Sequence, residues 1–219
     1  MTAGDEIIDR MTRAALALAS ERGWRTMSLA EIAARAEVPL LDAYRAVPTK
    51  TALLALLIDA SDRAVLSGGA ATMTDTARDR LFDVVMRRFD SLQSRREGTV
   101  AILRDLPCDP PALLCLLPRF ARSMAWMLEA AGISSVGLAG SLRIKGLALV
   151  YLNALRVWLE DDSPDMARTM AAVDKGLRRT EQLARSLPYA GRRRPSSKSP
   201  ASAEPPAEGS PPGAPAPSI

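Results

Sequence analysis

The stretch MSLAEIAARAEVPLLDAYRAVPTKTALLALLI, residues 27–58, predicts two short helices that meet at a tight turn. Ser28 and Glu31 form the pattern of a capping box, in which the serine hydroxyl and the glutamate carboxylate each accept a backbone N–H at a helix start. Pro39 suits the first turn of the second helix, where its missing N–H has no partner to lose. Helices of fewer than about 12 residues are marginal in water, so both need support from neighbouring elements.

Longer helices on either side of this pair provide that support. Apolar residues at helical spacing predict an amphipathic helix over residues 5–22, which ends near Gly23. Pro48 ends the second short helix, and Thr49 is suited to cap a third helix over residues 50–66. Two short helices braced in this way are typical of a helix-turn-helix, whose second helix can enter a DNA major groove. A plain helical bundle contains the same shape, so the pattern alone leaves DNA binding open.

The rest of the chain continues the helical pattern. No segment alternates apolar and polar residues well enough to predict a strand, and the predicted fold class is therefore all-α. The further predicted helices span residues 76–93, 95–106, 111–131, 136–160 and 164–187, with Ser163 as the cap and Pro164 as the first residue of the last one.

Changes in composition divide the chain into three parts. Residues 1–66 form the predicted helix-turn-helix domain, and residues 67–187 form a larger helical domain. After Leu187 the sequence holds nine of the chain's 16 prolines and almost no large apolar residues. Residues 188–219 therefore cannot bury enough surface to offset their ordering entropy, and we expect a disordered tail.

The composition excludes most catalytic chemistry. Without a histidine, the chain has no His-based triad, no imidazole base and no HExxH zinc site. Cys108 and Cys115 are too few for a tetrahedral zinc site and are expected to be small buried residues. No Gly-rich phosphate loop follows a strand-like run. We therefore expect neither an enzyme nor a bound metal or cofactor.

Hydropathy and charge bear on location and partners. The chain opens without a signal-peptide pattern, and no window holds the roughly 18 consecutive apolar residues of a membrane span, which points to the cytoplasm. The net charge is +4, but half of it comes from the tail. The first fifty residues carry seven basic and seven acidic side chains, whereas a DNA-binding domain usually has a clear basic excess.

The segment SLAEIAARAEVPLLDAYRAVPTKTALL, residues 28–54, resembles the DNA-binding segment of the TetR family of transcriptional regulators. The resemblance implies an N-terminal helix-turn-helix domain, a larger domain that binds a ligand, and a dimer that binds palindromic operator DNA. The positions that match the family pattern are Ile32, Ala33, Ala36, Val38, Tyr44, Pro48, Thr49, Lys50, Leu53 and Leu54.

The resemblance also assigns residues to the DNA interface. Tyr44 and Lys50 are expected against phosphates, and Arg45 and the start of the second short helix are expected in the groove. The residues assigned in this way are Ser28, Leu40, Leu41, Asp42, Tyr44, Arg45, Thr49 and Lys50.

Two departures from the family pattern affect this interface. Glu37 stands where the family usually has glycine, at a turn position that often needs a positive φ. Leu40, Leu41 and Asp42 replace polar residues at the base-facing start of the helix. Leucine can contact thymine methyl groups and aspartate can accept from cytosine N4, although an acidic group beside phosphates is repelled.

For the larger domain, the resemblance implies a ligand cavity and a dimer interface made by helices 136–160 and 164–187. The candidate cavity residues carry few polar groups, so the expected ligand is apolar or amphipathic; their alternative role is simply core. These candidates are Met86, Phe89, Leu117, Phe120, Met124, Trp126, Met127 and Tyr151.

A second resemblance covers residues 145–177, which look like the C-terminal region of a TetR-fold lipid-binding family that supports ubiquinone biosynthesis. It implies an alternative function, a lipid-binding accessory protein with degenerate DNA binding and a peripheral membrane contact. The regulator is the preferred hypothesis because its pattern is longer. The residues that carry the second resemblance are Trp126, Tyr151, Trp158, Asp162, Ser163, Asp165 and Thr169.

Overall fold

The computed structural model describes residues 3–69 and 75–186. Within these ranges all regular structure is helical, which confirms the all-α prediction. The predicted tail, residues 188–219, lies outside the described residues. The helices are α1 (Ala3–Arg22), α2 (Leu29–Arg35), α3 (Leu40–Ala46), α4 (Lys50–Ser67), α5 (Ala77–Gln93), α6 (Arg96–Asp105), α7 (Pro110–Ala130), α8 (Gly137–Leu159) and α9 (Ala167–Ser186), with a 3-10 turn (Leu106–Cys108) between α6 and α7.

The first short helix begins as the sequence predicts, and the second begins one residue later than expected, because Pro39 is its N-cap rather than its first helical residue. The Ser28 hydroxyl accepts from the Glu31 N–H at 3.2 Å, and the Glu31 carboxylate accepts from the Ser28 N–H at 2.7 Å, so the capping box of α2 is complete. Pro39 directly precedes α3, and its carbonyl accepts from the Ala43 N–H at 2.9 Å. We refer to α1–α3 as the head and to α5–α9 as the body.

The turn between α2 and α3 contains a strained residue. Glu37 has a φ of 53°, in the left-handed region, which costs an L-residue roughly 1–2 kcal/mol. Arg10 on α1 donates from Nε to the Ala36 carbonyl at 2.9 Å and from Nη2 to the Glu37 carbonyl at 2.7 Å. These hydrogen bonds fix both carbonyls of the turn, so α1 holds the angle between α2 and α3.

The long helix α4 runs through two apolar clusters. The head cluster joins α1–α3 to the first half of α4, where Leu53 is fully buried, and it also includes Ile102 of α6 and Leu116 of α7. The body cluster forms around Phe89 and includes Val65 near the end of α4. Because one rigid helix belongs to both clusters, the head cannot move independently of α4.

A second attachment of the head to the body lies where α6 crosses α1. A Cβ at Gly98 would lie 2.3 Å from the Leu16 carbonyl oxygen, so only glycine allows the two backbones to approach this closely. Ile102, one turn later, is buried in the head cluster. The head is therefore attached to the rest of the molecule through both α4 and α6.

The two cysteines are exposed and unpaired, so the expectation that they are buried is wrong. Cys108 ends the 3-10 turn, and Cys115 lies on the first half of α7. On that part of α7, Leu116 faces the head cluster whereas its neighbour Leu114 is exposed. Only one side of this segment is covered, and Cys115 lies on the uncovered side.

The last helix begins three residues later than predicted, at Ala167. Met166 has a φ of 51° and interrupts the helical conformation before that point. Asp161, which is fully buried, accepts from the Thr169 N–H at 2.8 Å and from the Thr169 hydroxyl at 2.7 Å. Ser163 donates its hydroxyl to the same carboxylate and accepts from the Ala167 N–H at 3.2 Å. Asp161 therefore organises the start of α9.

These hydrogen bonds change the acidity of Asp161. Burial alone would raise its pKa, but the hydrogen bonds from Ser163 and Thr169 outweigh burial and lower the pKa from 3.8 to about 2. Because the folded-state pKa is below the unfolded-state pKa, the carboxylate stabilises the fold above about pH 4. This contribution is lost as the pH falls towards the folded-state pKa.

We expect Asp161→Asn to lower the free energy of unfolding by about 2 kcal/mol at pH 7, since an amide cannot accept all of these hydrogen bonds. The stability of the variant should also depend less on pH between about pH 4 and pH 2. Guanidinium denaturation followed by tryptophan fluorescence measures both effects.

The control is Asp162→Asn. The side chain of Asp162 is 96% exposed and lies 3.3 Å from Arg96, and an exposed pair of this kind contributes at most about 1 kcal/mol. Equal losses of stability in the two variants would contradict the role given to Asp161.

Candidate nucleic-acid interface and internal cavity

The outward face of α3 exposes three large side chains. The exposed fractions are 61% for Leu40, 59% for Leu41 and 67% for Tyr44, whereas Ala43 and Val47 are buried. A cluster of exposed apolar side chains is typical of an interaction site. The helix is held by its inner face, and its outer face is exposed to solvent.

Arg45 and Asp42 lie beside these apolar residues. Arg45 Nη1 is 3.8 Å from Asp42 Oδ1, and the Arg45 side chain is 69% exposed. Exposed ion pairs with this geometry contribute little, so Arg45 can exchange Asp42 for a phosphate or a base at small cost.

Three other residues assigned to DNA have structural roles inside the head. Ser28 caps α2 and Thr49 caps α4. Lys50 Nζ donates to the carbonyls of Trp24 and Met27, both at 2.7 Å, and lies 4.6 Å from the centre of the Trp24 ring. Burial lowers the pKa of Lys50, although nearby carboxylates act in the opposite direction. Contact of these three residues with phosphates stays a prediction.

Four arginines of α1 and α2 lie close to acidic side chains. Each pair is at the surface, and the head as a whole is close to neutral. Neutralised arginines add little to the counterion-release contribution that dominates non-specific DNA affinity. The pairs are Arg13–Asp9 at 2.9 Å, Arg22–Glu31 at 3.3 Å, Arg35–Glu21 at 2.8 Å and Arg10–Glu37 at 3.9 Å.

A cavity of about 470 Å³ lies between the head cluster and the body. This volume is within the range of small-molecule sites. Six helices, α1 and α4–α8, contribute to its wall, and most of the wall is apolar. The apolar residues are Leu16, Leu54, Leu57, Ile58, Ala60, Ala64, Leu92, Ile102, Leu103, Leu106, Leu113, Leu116, Leu117, Phe120, Leu152 and Leu155, and the polar ones are Ser61, Arg88, Ser91, Ser94, Arg95, Thr99 and Tyr151.

Three of the eight predicted ligand residues line this cavity: Leu117, Phe120 and Tyr151. The other five do not, because the cavity touches α7 only up to Phe120 and α5 only along one side of its second half, and these five residues lie outside those regions. These are Phe89, Met124 and Met127, which are buried in the body cluster, Met86, which is half-buried against it, and Trp126, which is exposed.

A buried arginine joins the cavity wall to three other helices. Arg88 on α5 is only 3% exposed; its Nε donates to the Tyr151 hydroxyl at 3.2 Å, and its Nη1 donates to Asp62 on α4. Ser123 on α7 donates to the same carboxylate at 2.5 Å. Burial lowers the pKa of Arg88, but Tyr151 and Asp62 raise it above its ordinary value, so the guanidinium stays charged.

The sequence indicates that Arg88 is unusual, but helical periodicity alone does not identify its partner. Arg88 occurs at helical spacing from Val84 and Val85, on the apolar face of α5. A charged residue on a buried face requires a buried partner of opposite charge. Asp62 lies 26 residues earlier in the chain, and no local pattern connects the two.

One long face of α8 is exposed and largely apolar. Leu138, Leu142, Leu149 and Leu152 are all exposed, and together with Lys145 they follow each other at alternating spacings of four and three residues. This heptad spacing is typical of a seam between two helices. The face therefore has the pattern of a helix-pairing surface.

By length and composition α8 (Gly137–Leu159) could also cross a membrane, and it is the one helix among residues 3–69 and 75–186 that meets this criterion. Arg143 and Lys145 lie on it, and a charged side chain near a bilayer centre costs at least about 2.5 kcal/mol. The heptad pattern accounts for its exposed leucines without a membrane.

Within the described ranges, no group of three or more histidine, cysteine, aspartate or glutamate side chains is arranged to hold a metal ion.

Comparisons with known proteins identify the fold. No family model and no curated protein sequence matches the chain. The solved structure of a TetR transcriptional regulator from Nitrosomonas europaea ATCC 19718 matches with a TM-score of 0.67 at 22% identity, covering 80% of this chain and 98% of that one. A TetR transcriptional regulator from Rhodococcus sp. RHA1 matches with a TM-score of 0.62 at 21% identity, covering 81% and 96%. At these identities the likeness establishes a shared fold.

Proposed function

We propose that this chain, which has the TetR-family fold, is a transcriptional regulator that binds DNA as a homodimer and responds to an apolar or amphipathic ligand. The observation that carries the proposal is the outer face of α3, which keeps Leu40, Leu41 and Tyr44 in solvent while α1 and α2 pack against the helix. A regulator of this kind acts in the cytoplasm, where the DNA is.

Rigid mounting of α3 supports DNA binding. Arg10 fixes the turn before α3, and Lys50 fixes the loop before α2 to the start of α4. A recognition helix must keep its angle to the duplex so that its side chains reach base edges. Tyr44 and Arg45 are the residues on α3 whose polar ends can contact phosphates or bases.

The exposed face of α8 supports a homodimer. Two copies of the seam formed by Leu138, Leu142, Leu149 and Leu152 can pair with each other and remove these leucines from water. Such a pairing presents two α3 helices to successive major grooves, about 34 Å apart, on a palindromic site. α9 packs against α8, where Gly176 permits close contact with Val150, and forms the rest of the interface in this proposal.

The cavity supports a ligand with a large apolar part. The hydroxyls of Ser91, Ser94 and Thr99 donate to backbone carbonyls at 2.8–2.9 Å and so offer only lone pairs to a ligand. Arg88 and Arg95 are the side chains in the wall that can donate several N–H groups. The ligand therefore has an apolar body and at most a small polar end.

Ligand binding is coupled to DNA binding through α4 in this proposal. Leu57 and Ile58 on α4 line the cavity, and Lys50 at the start of the same helix holds the head. A ligand that favours one position of α4 shifts the distance between the two α3 helices, with a coupling free energy of about 1–3 kcal/mol.

The alternative function is a lipid-binding accessory protein with degenerate DNA binding. It also uses the cavity for a ligand, but it does not require specific DNA binding. The near-neutral head favours this alternative, because few unpaired basic residues are available for phosphates. DNA binding therefore separates the two functions.

We expect the wild-type protein to bind a duplex from its own upstream region more tightly than random duplexes at moderate salt. Arg45→Ala should weaken this binding by about 10- to 100-fold, through loss of a base or phosphate contact. Tyr44→Ala should weaken it less. Gel-shift titration measures each dissociation constant.

Arg122→Ala is the matched control, because Arg122 lies on α7, outside the head and the proposed dimer interface, and its side chain is 58% exposed. Its affinity for DNA should equal that of the wild type. If the wild-type protein binds no duplex better than random sequence, the regulator proposal fails.

We expect Leu149→Arg to convert the dimer to a monomer, because each pairing would bury two additional like charges in the seam. Sedimentation velocity at micromolar concentration measures the change. Leu114→Arg places the same charge on an exposed leucine of α7 and should leave the dimer intact. A wild-type monomer, or an unchanged Leu149→Arg dimer, would contradict the proposed interface.

We expect an apolar fluorescent dye to bind the cavity and Leu117→Trp to weaken it about tenfold, since the larger side chain occupies part of the space. Leu114→Trp, on the same helix but outside the cavity wall, should bind the dye as the wild type does.

Native mass spectrometry of the purified protein then identifies a retained ligand. A lipid retained by a protein without specific DNA binding would favour the alternative function.

A further inference from the structure

A shallow apolar depression lies beside the outward face of α3. Its volume is about 450 Å³. Among its lining residues the Tyr44 hydroxyl is the sole side-chain oxygen or nitrogen. Any group that enters this depression must therefore be apolar. The lining residues are Met11, Leu29, Leu40, Leu41, Ala43, Tyr44, Val47 and Pro48.

The polar side chains of α3 offer few hydrogen bonds to base edges. The helix has the sequence LLDAYRA and lacks asparagine, glutamine, lysine, serine and threonine, which supply most such contacts together with arginine. Asp42 can accept only from cytosine N4 and is repelled by phosphates. Arg45 is the single residue on α3 capable of a bidentate contact with guanine.

Electrostatic attraction does not compensate for these missing hydrogen bonds. Acidic side chains lie 2.8–3.9 Å from the four arginines of α1 and α2, which are Arg10, Arg13, Arg22 and Arg35. Non-specific affinity comes mainly from released counterions, so a neutral head depends more than usual on contacts with the bases themselves. Leu40 and Leu41 are the most exposed apolar residues of α3 apart from Tyr44.

We propose that α3 reads thymine methyl groups, and that Leu40 and Leu41 are the residues that set operator specificity. The C5-methyl of thymine is the apolar group that base pairs present in the major groove, and it suits the apolar lining of the depression beside α3. The half-site therefore contains thymines opposite the start of α3. This inference rests on the proposed DNA binding and adds which bases are read and how.

The first step of the test identifies the half-site. Full-length wild-type protein selects duplexes from a randomised pool, and the selected sequences are aligned. We expect at least one position in each half-site to be occupied by thymine in nearly all selected duplexes. Selected half-sites without a preferred thymine would overturn the proposal.

The second step removes only the methyl group. Each preferred thymine in a selected duplex is replaced by deoxyuridine, which pairs in the same way but lacks the C5-methyl. We expect the dissociation constant to rise about fourfold for each contacted thymine, as expected for exposing one methyl group. Equal affinity for the two duplexes would overturn methyl readout and leave the regulator proposal standing.

The third step assigns the contact to the leucines. In Leu40→Ala and Leu41→Ala, the ratio of the dissociation constants for the deoxyuridine and thymine duplexes should fall towards one in at least one variant. Both side chains are exposed, so both variants should fold, which circular dichroism checks. Leu114→Ala, an exposed leucine on α7, should keep the wild-type ratio.

The outcomes separate the two proposals. An unchanged ratio in both leucine variants would overturn the assignment to these residues. If no sequence is enriched over the random pool, the proposed DNA binding and the methyl readout fail together.

Discussion

The position of α4 is the constraint on which both halves of the molecule depend. At its start Lys50 is fixed by two carbonyls of the head, and further along Asp59 and Asp62 pair with arginines of the body. Asp62 and its partner Arg88 are both largely buried. Removing one member of a buried pair leaves an uncompensated charge and costs about 3–5 kcal/mol, so a shift of α4 is resisted unless these charges find other partners.

The cavity lies against this constrained helix. Its wall includes Leu57 of α4 and Arg88 of α5, so an occupant contacts the helix and the arginine that anchors it. Arg88 is held by its neighbours, since Tyr151 accepts from Nε and Asp62 accepts from Nη1. An apolar molecule can enter without breaking these hydrogen bonds, whereas a strongly charged one has to compete with Asp62.

The outer surface of the head combines a rigidly held helix α3 with a largely apolar exposed face. Arg10 and Lys50 donate hydrogen bonds to backbone carbonyls of the head, so these donors are not directed towards a partner. What remains on the surface of α3 is Leu40, Leu41 and Tyr44, with one ion pair beside them. Apolar side chains therefore make up most of the surface that α3 exposes.

The sequence by itself determined the local features of the protein. The capping box of α2 and the cap of α4 at Thr49 follow from residues within a few positions of each other, and the positive φ at Glu37 was expected from the family pattern. The all-α class and the approximate helix lengths follow from periodicity for the same reason. The late start of α9 was missed because it depends on Asp161, which reaches Thr169 eight residues away.

Only the tertiary structure decided which side chains meet. Lys50 hydrogen-bonds to the head because the loop between α1 and α2 lies against the start of α4. Arg88 can be buried in the cavity wall because α4 places Asp62 beside it. Helical spacing identified the apolar face of α7 but did not tell Phe120, which lines the cavity, from Met124, which is core. The physical reason is that periodicity specifies which residues share a face, whereas the neighbour of that face is chosen by packing between helices that are distant in the chain.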